Sequence, residues 1–165
     1  AVKILMFLDI GGSMDPHVKA CEELFSAART EFKNLEFFYF HNCLYESVWQ
    51  DNRRRMSERT PTWDVLHKFG HDYKVVFVGD AAMSRYEIAH PGGSVEHFNA
   101  EAGAVWLQRV VNTYPATVWL NPEPERGWDY TQSNRMIRQI LNDRMYPLTL
   151  AGLDAATREL TRKHG

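Results

Sequence analysis

The 165-residue chain carries 19 Lys and Arg against 21 Asp and Glu, a formal net charge of −2, with 44% hydrophobic and 24% charged residues. That balance excludes a disordered tail, a collagen-like repeat and a coiled coil, and it leaves no basic face of the kind that binds nucleic acid. The length fits one domain with a real core, and the longest apolar run, Ile4 to Leu8, is too short to span a bilayer.

Val2–Asp9 is almost continuously apolar, as expected of a strand covered on both faces in a parallel sheet. Asp15-Pro16 reads as an N-cap with proline in the first helical turn, predicting a helix to about Phe32. Its core stripe would be Val18, Cys21, Leu24, Phe25 and Ala28. Leu35–His41 and Leu44–Trp49 are two strands with only Asn42 and Cys43 between them, which predicts an antiparallel hairpin. Thr60-Pro61 repeats the cap signal before a helix over Trp63–Phe69 that Gly70 ends. Lys74–Gly79 and Ala116–Leu120 are further buried strands. Asn99–Asn112, with an apolar face of Ala102, Val105, Trp106 and Val110, and then Thr131–Asp143 and Thr149–Lys163, complete the helices.

Alternating strands and helices with one early hairpin predict an α/β three-layer, Rossmann-like sandwich. Its central sheet is mostly parallel, with one antiparallel edge strand. The first and fourth strands should lie side by side in the middle, making their carboxyl ends the topological switch point where open α/β sheets bind ligands. Asp9 ends the first strand and Asp80 follows the fourth. Ser13 lies in the turn after Asp9, and Thr60 is predicted to cap the intervening helix. Two carboxylates and two hydroxyls are hard oxygen donors of the kind that suit Mg²⁺.

The run DIGGSM at 9–14 resembles the metal-ion-dependent adhesion site of von Willebrand factor A (VWA) domains, Asp-x-Ser-x-Ser. Thr60 and Asp80 fall where that family places its later Thr and Asp. AMSRYEIAHPGGS, VWLNPEP with Trp128, and RMYPLTLAGL are similar to stretches of the bacterial CoxE-type group. The resemblance implies a single VWA-like domain over 1–165, the C-terminal part of a longer protein. It also implies metal ligation by Ser13 and Thr60, with Asp9 and Asp80 holding waters, and Mg²⁺, Mn²⁺ or Ca²⁺ as the ion. The open position would take a partner's carboxylate, and the partner would be a MoxR-type AAA+ ATPase or its client. Gly11 stands where the family has its first Ser, so one coordinating hydroxyl is missing.

Plainer readings compete at each position. Asp9 and Ser13 could close a turn, Asp15 could cap, and Thr62 is an alternative ligand to Thr60. His17, His67, His71, His90 and His97 show no zinc spacing, and Trp106, Trp119 and Trp128 suit the core. Cys21 and Cys43 make no disulfide framework, are not expected to be nucleophiles, and point to a reducing, cytoplasmic compartment. Arg53-Arg54-Arg55 beside Trp49, with the HPGGS loop, could dock a partner even if the metal site were empty. A haloacid-dehalogenase-like phosphatase would use Asp9 as nucleophile and Asp80 for Mg²⁺. It needs an acid at position 11 and another soon after Asp80, where the chain has Gly11 and Ala81-Ala82-Met83-Ser84.

Overall fold

Strand β1 (Lys3–Asp9) is apolar on both faces because it lies inside a five-stranded sheet, flanked by β2 (Asn34–Phe40) and β5 (Lys74–Val78). The computed structural model describes residues 2–32, 34–51, 58–83, 88–89, 91 and 102–162. Beyond β5 the sheet continues to β6 (Thr117–Asn121) and β7 (Met145–Pro147), giving the order β2-β1-β5-β6-β7 with every pairing parallel. The first strand and the Lys74 strand are therefore neighbours, as the sequence predicts.

Helices cover both faces. On one, Ile4, Met6, Leu8, Val76, Val78, Val118 and Leu120 pack with Ala28 of α1 (Val18–Glu31) and with Ala156 and Leu160 of α5 (Leu150–Thr161). On the other, Leu5, Phe7, Val75, Phe77 and Trp119 meet α2 (Thr62–Lys68), α3 (Gly103–Thr113) and α4 (Gln132–Ile140). The Phe77 ring stacks on Phe7 and on Trp119, with 5.1 Å between centroids in each pair. Such pairs add about 1 kcal/mol each beyond the area they bury. The result is the three-layer Rossmann-like α/β sandwich, and among the described residues no helix is long and apolar enough to cross a membrane.

Several local expectations are corrected. The antiparallel partner of β2 is reduced to isolated bridges, Tyr39 with Trp49 and His41 with Cys43; Asn42 turns the chain at φ 62°. The intervening Leu44, Tyr45 and Val48 are buried, and packing them bulges the segment out of register. What remains is β3 (Ser47–Val48), paired antiparallel with β4 (Thr60–Pro61) in a separate two-stranded sheet. Thr60 thus lies in a strand opposite Val48. It is Pro61, with no side-chain bond, that occupies the cap position of α2. Pro16 sits inside a 3-10 turn, Gly12–His17, so α1 starts only at Val18 and Asp15 caps nothing.

Val18 and Val105 are exposed, whereas Leu107, outside the predicted stripe, is buried. The start of the Asn99–Asn112 prediction, the three arginines, His97 and most of the HPGGS loop lie outside the described residues. Thr131 and Thr149, the first residues of the last two predicted helices, are the caps of α4 and α5, accepting from the Asn134 and Gly152 N–H groups.

Candidate functional site

The carboxyl ends of β1 and β5 make the rim. Register pairs Leu8 with Val78, so Asp9 and Gly79 lie next on their strands and Asp80 one residue further. A Cβ built on Gly79 would lie 3.0 Å from Asp9 Cβ, which shows how closely the two strand ends approach. The Trp119 indole donates to Gly79 O at 2.8 Å and fixes that end from the neighbouring strand.

Both aspartates are buried and work alike. Asp9 Oδ1 accepts from the N–H of Gly11 at 2.8 Å and of Asn42 at 2.9 Å. Asp80 Oδ1 accepts from Ala82 N–H at 3.0 Å. Each carboxylate therefore closes the turn two residues ahead, a local bond that Asp makes readily. The plainer turn-closing reading holds for Asp9, and it leaves room for a second role.

Two cavities open here. One, about 370 Å³, is lined by Ser13, Asp80, Ala82, Glu123, Arg126, Trp128, Thr131 and Asn134. Ser13, exposed in the 3-10 turn, thus faces the same space as Asp80. Glu123 on its wall pairs with His17 at 2.8 Å. The other, about 300 Å³, runs from Asp9 and Gly11 under α1 to Cys21, Phe25 and Tyr39. Thr60 lines neither. Thr62 is fully buried and its hydroxyl donates to Tyr45 O at 2.5 Å, a role in holding the bulged segment. Trp49 is buried as well, which removes it from any docking surface.

Burial, then the nearby Asp9 and Glu22 carboxylates, pushes the Cys21 thiol up to about 11. Burial also raises the Tyr39 phenol. Cys21 should therefore resist alkylation: at pH 8 the folded protein should react with iodoacetamide on the order of a hundredfold more slowly than the unfolded chain. Equal rates at Cys21, resolved by peptide mass spectrometry, would refute this.

Residues that the sequence reading passed over hold the Asp80 loop. Asn121 Nδ2 donates to Asp80 O at 3.1 Å and to Asn134 Oδ1 at 3.0 Å, and Asn134 Nδ2 reaches Asp80 O, Ala81 O and Thr131 Oγ1. Ser133 Oγ donates to Ala81 O and accepts from Met83 N–H. Ala81 sits at φ 54°, a conformation that costs a non-glycine residue about 1–2 kcal/mol and persists because these bonds fix it. Asn121 directly follows the strand predicted over Ala116–Leu120 and is the last residue of β6, and that position at a strand end is its one signal in the sequence.

The donor set suits a hard cation. It consists of carboxylate, hydroxyl and amide oxygens, and among the described residues no three His, Cys, Asp or Glu side chains group to hold a metal by themselves. A cation here would rest on Asp9, Asp80, Ser13 and water, chemistry that suits Mg²⁺ or Ca²⁺ better than Zn²⁺. The position of Gly11 is a tight cradle: a Cβ there would come under 3.0 Å from Asn42 Oδ1 and to 3.1 Å from Asp9 Oδ1. Comparison of the chain with protein-family models, with curated proteins and with solved structures returned no match.

Proposed function

We propose that the chain is a non-enzymatic protein-interaction module with a divalent cation, Mg²⁺ or alternatively Mn²⁺ or Ca²⁺, on its rim. Asp9, Ser13 and Asp80 form the centre of that site. Thr60, carried over from the VWA resemblance, would complete it from β4. The observation that carries the reading is the burial of two aspartates at the adjoining carboxyl ends of β1 and β5, with Ser13 lining the same cavity as Asp80. Two carboxylates neutralise a dication, and a carboxylate from a partner can fill a remaining position, so capture would depend on both metal and orientation. The resemblance to CoxE-type proteins names the partner class: a MoxR-type AAA+ ATPase or its client.

A phosphatase is disfavoured, because position 11 carries no acid and its space is filled by the Asn42 amide. The turn-closing bonds at both aspartates favour a second reading, in which the rim is purely structural and holds no ion.

Titration calorimetry with Mn²⁺ separates the two. The chain should take up Mn²⁺, and Asp80→Asn, which keeps an acceptor for Ala82 N–H but loses the charge, should weaken uptake by at least about tenfold without unfolding the protein. A wild-type chain that binds no Mn²⁺ or Mg²⁺ would leave only the structural reading. With metal established, capture of an acidic partner peptide should disappear in EDTA.

A further inference from the structure

We infer that Arg126 anchors the partner's acidic group: its guanidinium takes one oxygen of a carboxylate whose other oxygen completes the cation beside Asp80. The inference deepens the cation-binding reading above and rests on it. Its starting point is the cavity of about 370 Å³ at the ends of β5 and β6, which three charged side chains line: Asp80, Glu123 and Arg126. Glu123 is satisfied by His17 at 2.8 Å. The other two are not. Asp80 is only 3% exposed; its Oδ1 is taken by Ala82 N–H, and its Oδ2 accepts from no described group and is not sealed off from the cavity. Arg126 has neither an ion-pair nor a hydrogen-bond partner among the described residues. Its neighbours in the chain differ: Arg135 donates to Asp129 O, and Arg138 pairs with the Asp129 carboxylate at 2.7 Å.

The backbone that carries Arg126 is fixed. It lies in the 3-10 turn Glu125–Tyr130, where Gly127 N–H donates to Pro124 O at 2.9 Å. Two residues on, the buried Trp128 donates its indole N–H to Glu123 O at 3.0 Å and pins the turn to the wall. An open carboxylate oxygen and an unpaired guanidinium thus share one cavity, and the occupant that satisfies both brings positive charge to Asp80 and negative charge to Arg126. A dication with a bound carboxylate does so. The planar guanidinium fork suits a carboxylate oxygen, and a charge-assisted bond of this kind is about twice as strong as a neutral one. A hydroxyl could complete the cation equally well but would gain less from Arg126, so Arg126 selects acids. Without the ion, an entering carboxylate would meet the Asp80 and Glu123 charges, so the cation must bind first.

Acetate is the probe. Broadening of its methyl proton resonance by protein-bound Mn²⁺ reports its binding, and electron paramagnetic resonance of free Mn²⁺ reports the metal separately. Arg126→Gln should leave Mn²⁺ affinity within about twofold of wild type and raise the acetate concentration at half-saturation by about tenfold or more. Arg158→Gln, which removes the same charge from an exposed position on α5 that lines neither cavity, should change neither. Acetate binding by Arg126→Gln equal to wild type overturns the role of Arg126 and leaves the proposed function standing. An equal loss in Arg158→Gln also overturns it, because net charge and not position would then be responsible. So does a parallel loss of Mn²⁺ in Arg126→Gln, since the residue would then act on the cation and not on the acid. Mn²⁺-loaded wild type that takes up no acetate overturns both the anchor and the capture of acids, and wild type without Mn²⁺ uptake overturns the metal site itself.

Discussion

Replacing Gly152 by Ala should be among the most damaging single-methyl changes in this chain. Gly152 lies in the first turn of α5, where its N–H meets the capping Thr149 hydroxyl at 3.1 Å, and it is buried against the strand that ends at Pro147. A Cβ there would fall well inside contact with the carbonyl oxygen of Pro147 and come to 2.8 Å from its carbon. The obstacle is backbone. It cannot rotate away as a side chain could, and the same carbonyl accepts from Thr149 N–H at 2.9 Å. To make room, α5 must lift from β7 and take Ala156 and Leu160 with it out of the core they fill. Overpacking of this kind costs about 3 kcal/mol, or roughly 10 °C in Tm for a chain of this size. Gly127→Ala, where nothing lies within 4 Å, is the matched control and should change stability by less than about 0.5 kcal/mol. Equal melting of the two variants would show that α5 does not press on β7 as described.

Three of the strands that the sequence announced are buried on both faces. β1, β5 and β6 read as continuous apolar runs because helices cover both faces, and their order follows once crossovers are right-handed. β7 escaped notice because three residues, Met145–Pro147, show no periodicity at all. Leu44–Trp49 has the composition of a strand, yet its apolar residues serve the core better as a bulge, a choice that tertiary packing makes and local pattern does not. At the rim, Asp9 and Asp80 were legible because position at a strand end is itself a sequence property. Asn42, Asn121, Ser133 and Asn134 were not, since amide and hydroxyl side chains look like ordinary turn formers until their partners are known. Asn134 lies 54 residues from the Asp80 carbonyl it holds.

That last contact makes Asn134→Asp the sharpest probe of the rim. The substitution is nearly isosteric and exchanges one NH₂ group for an oxygen. In the wild type that NH₂ faces Asp80 O at 3.2 Å, Ala81 O at 3.3 Å and Thr131 Oγ1 at 2.7 Å, in a side chain that is almost fully buried. Asp would set an ionised oxygen against two carbonyls that cannot donate. Asn121 Nδ2 and, after rotation, the Thr131 hydroxyl would remain as donors to that side chain, and neither carries a compensating charge. An uncompensated buried charge of this kind should cost about 3 kcal/mol at pH 7, and Ala81, held at φ 54°, loses the Asn134 amide from its carbonyl while keeping the Ser133 hydroxyl.

The pH dependence fixes the cause. Burial and the facing carbonyls raise the folded-state pKa of the introduced carboxyl above its unfolded value of about 3.9. The penalty is therefore full above the folded pKa, shrinks as pH falls through it, and is gone below the unfolded value. Relative to wild type measured in the same buffers, Asn134→Asp should regain stability on acidification, whereas Asn134→Leu, which loses the bonds without adding charge, should show a deficit that does not change with pH. A deficit in Asn134→Asp that stayed constant from pH 7 to pH 4 would mean that the side chain reaches solvent and that the amide lattice behind Asp80 is not as drawn.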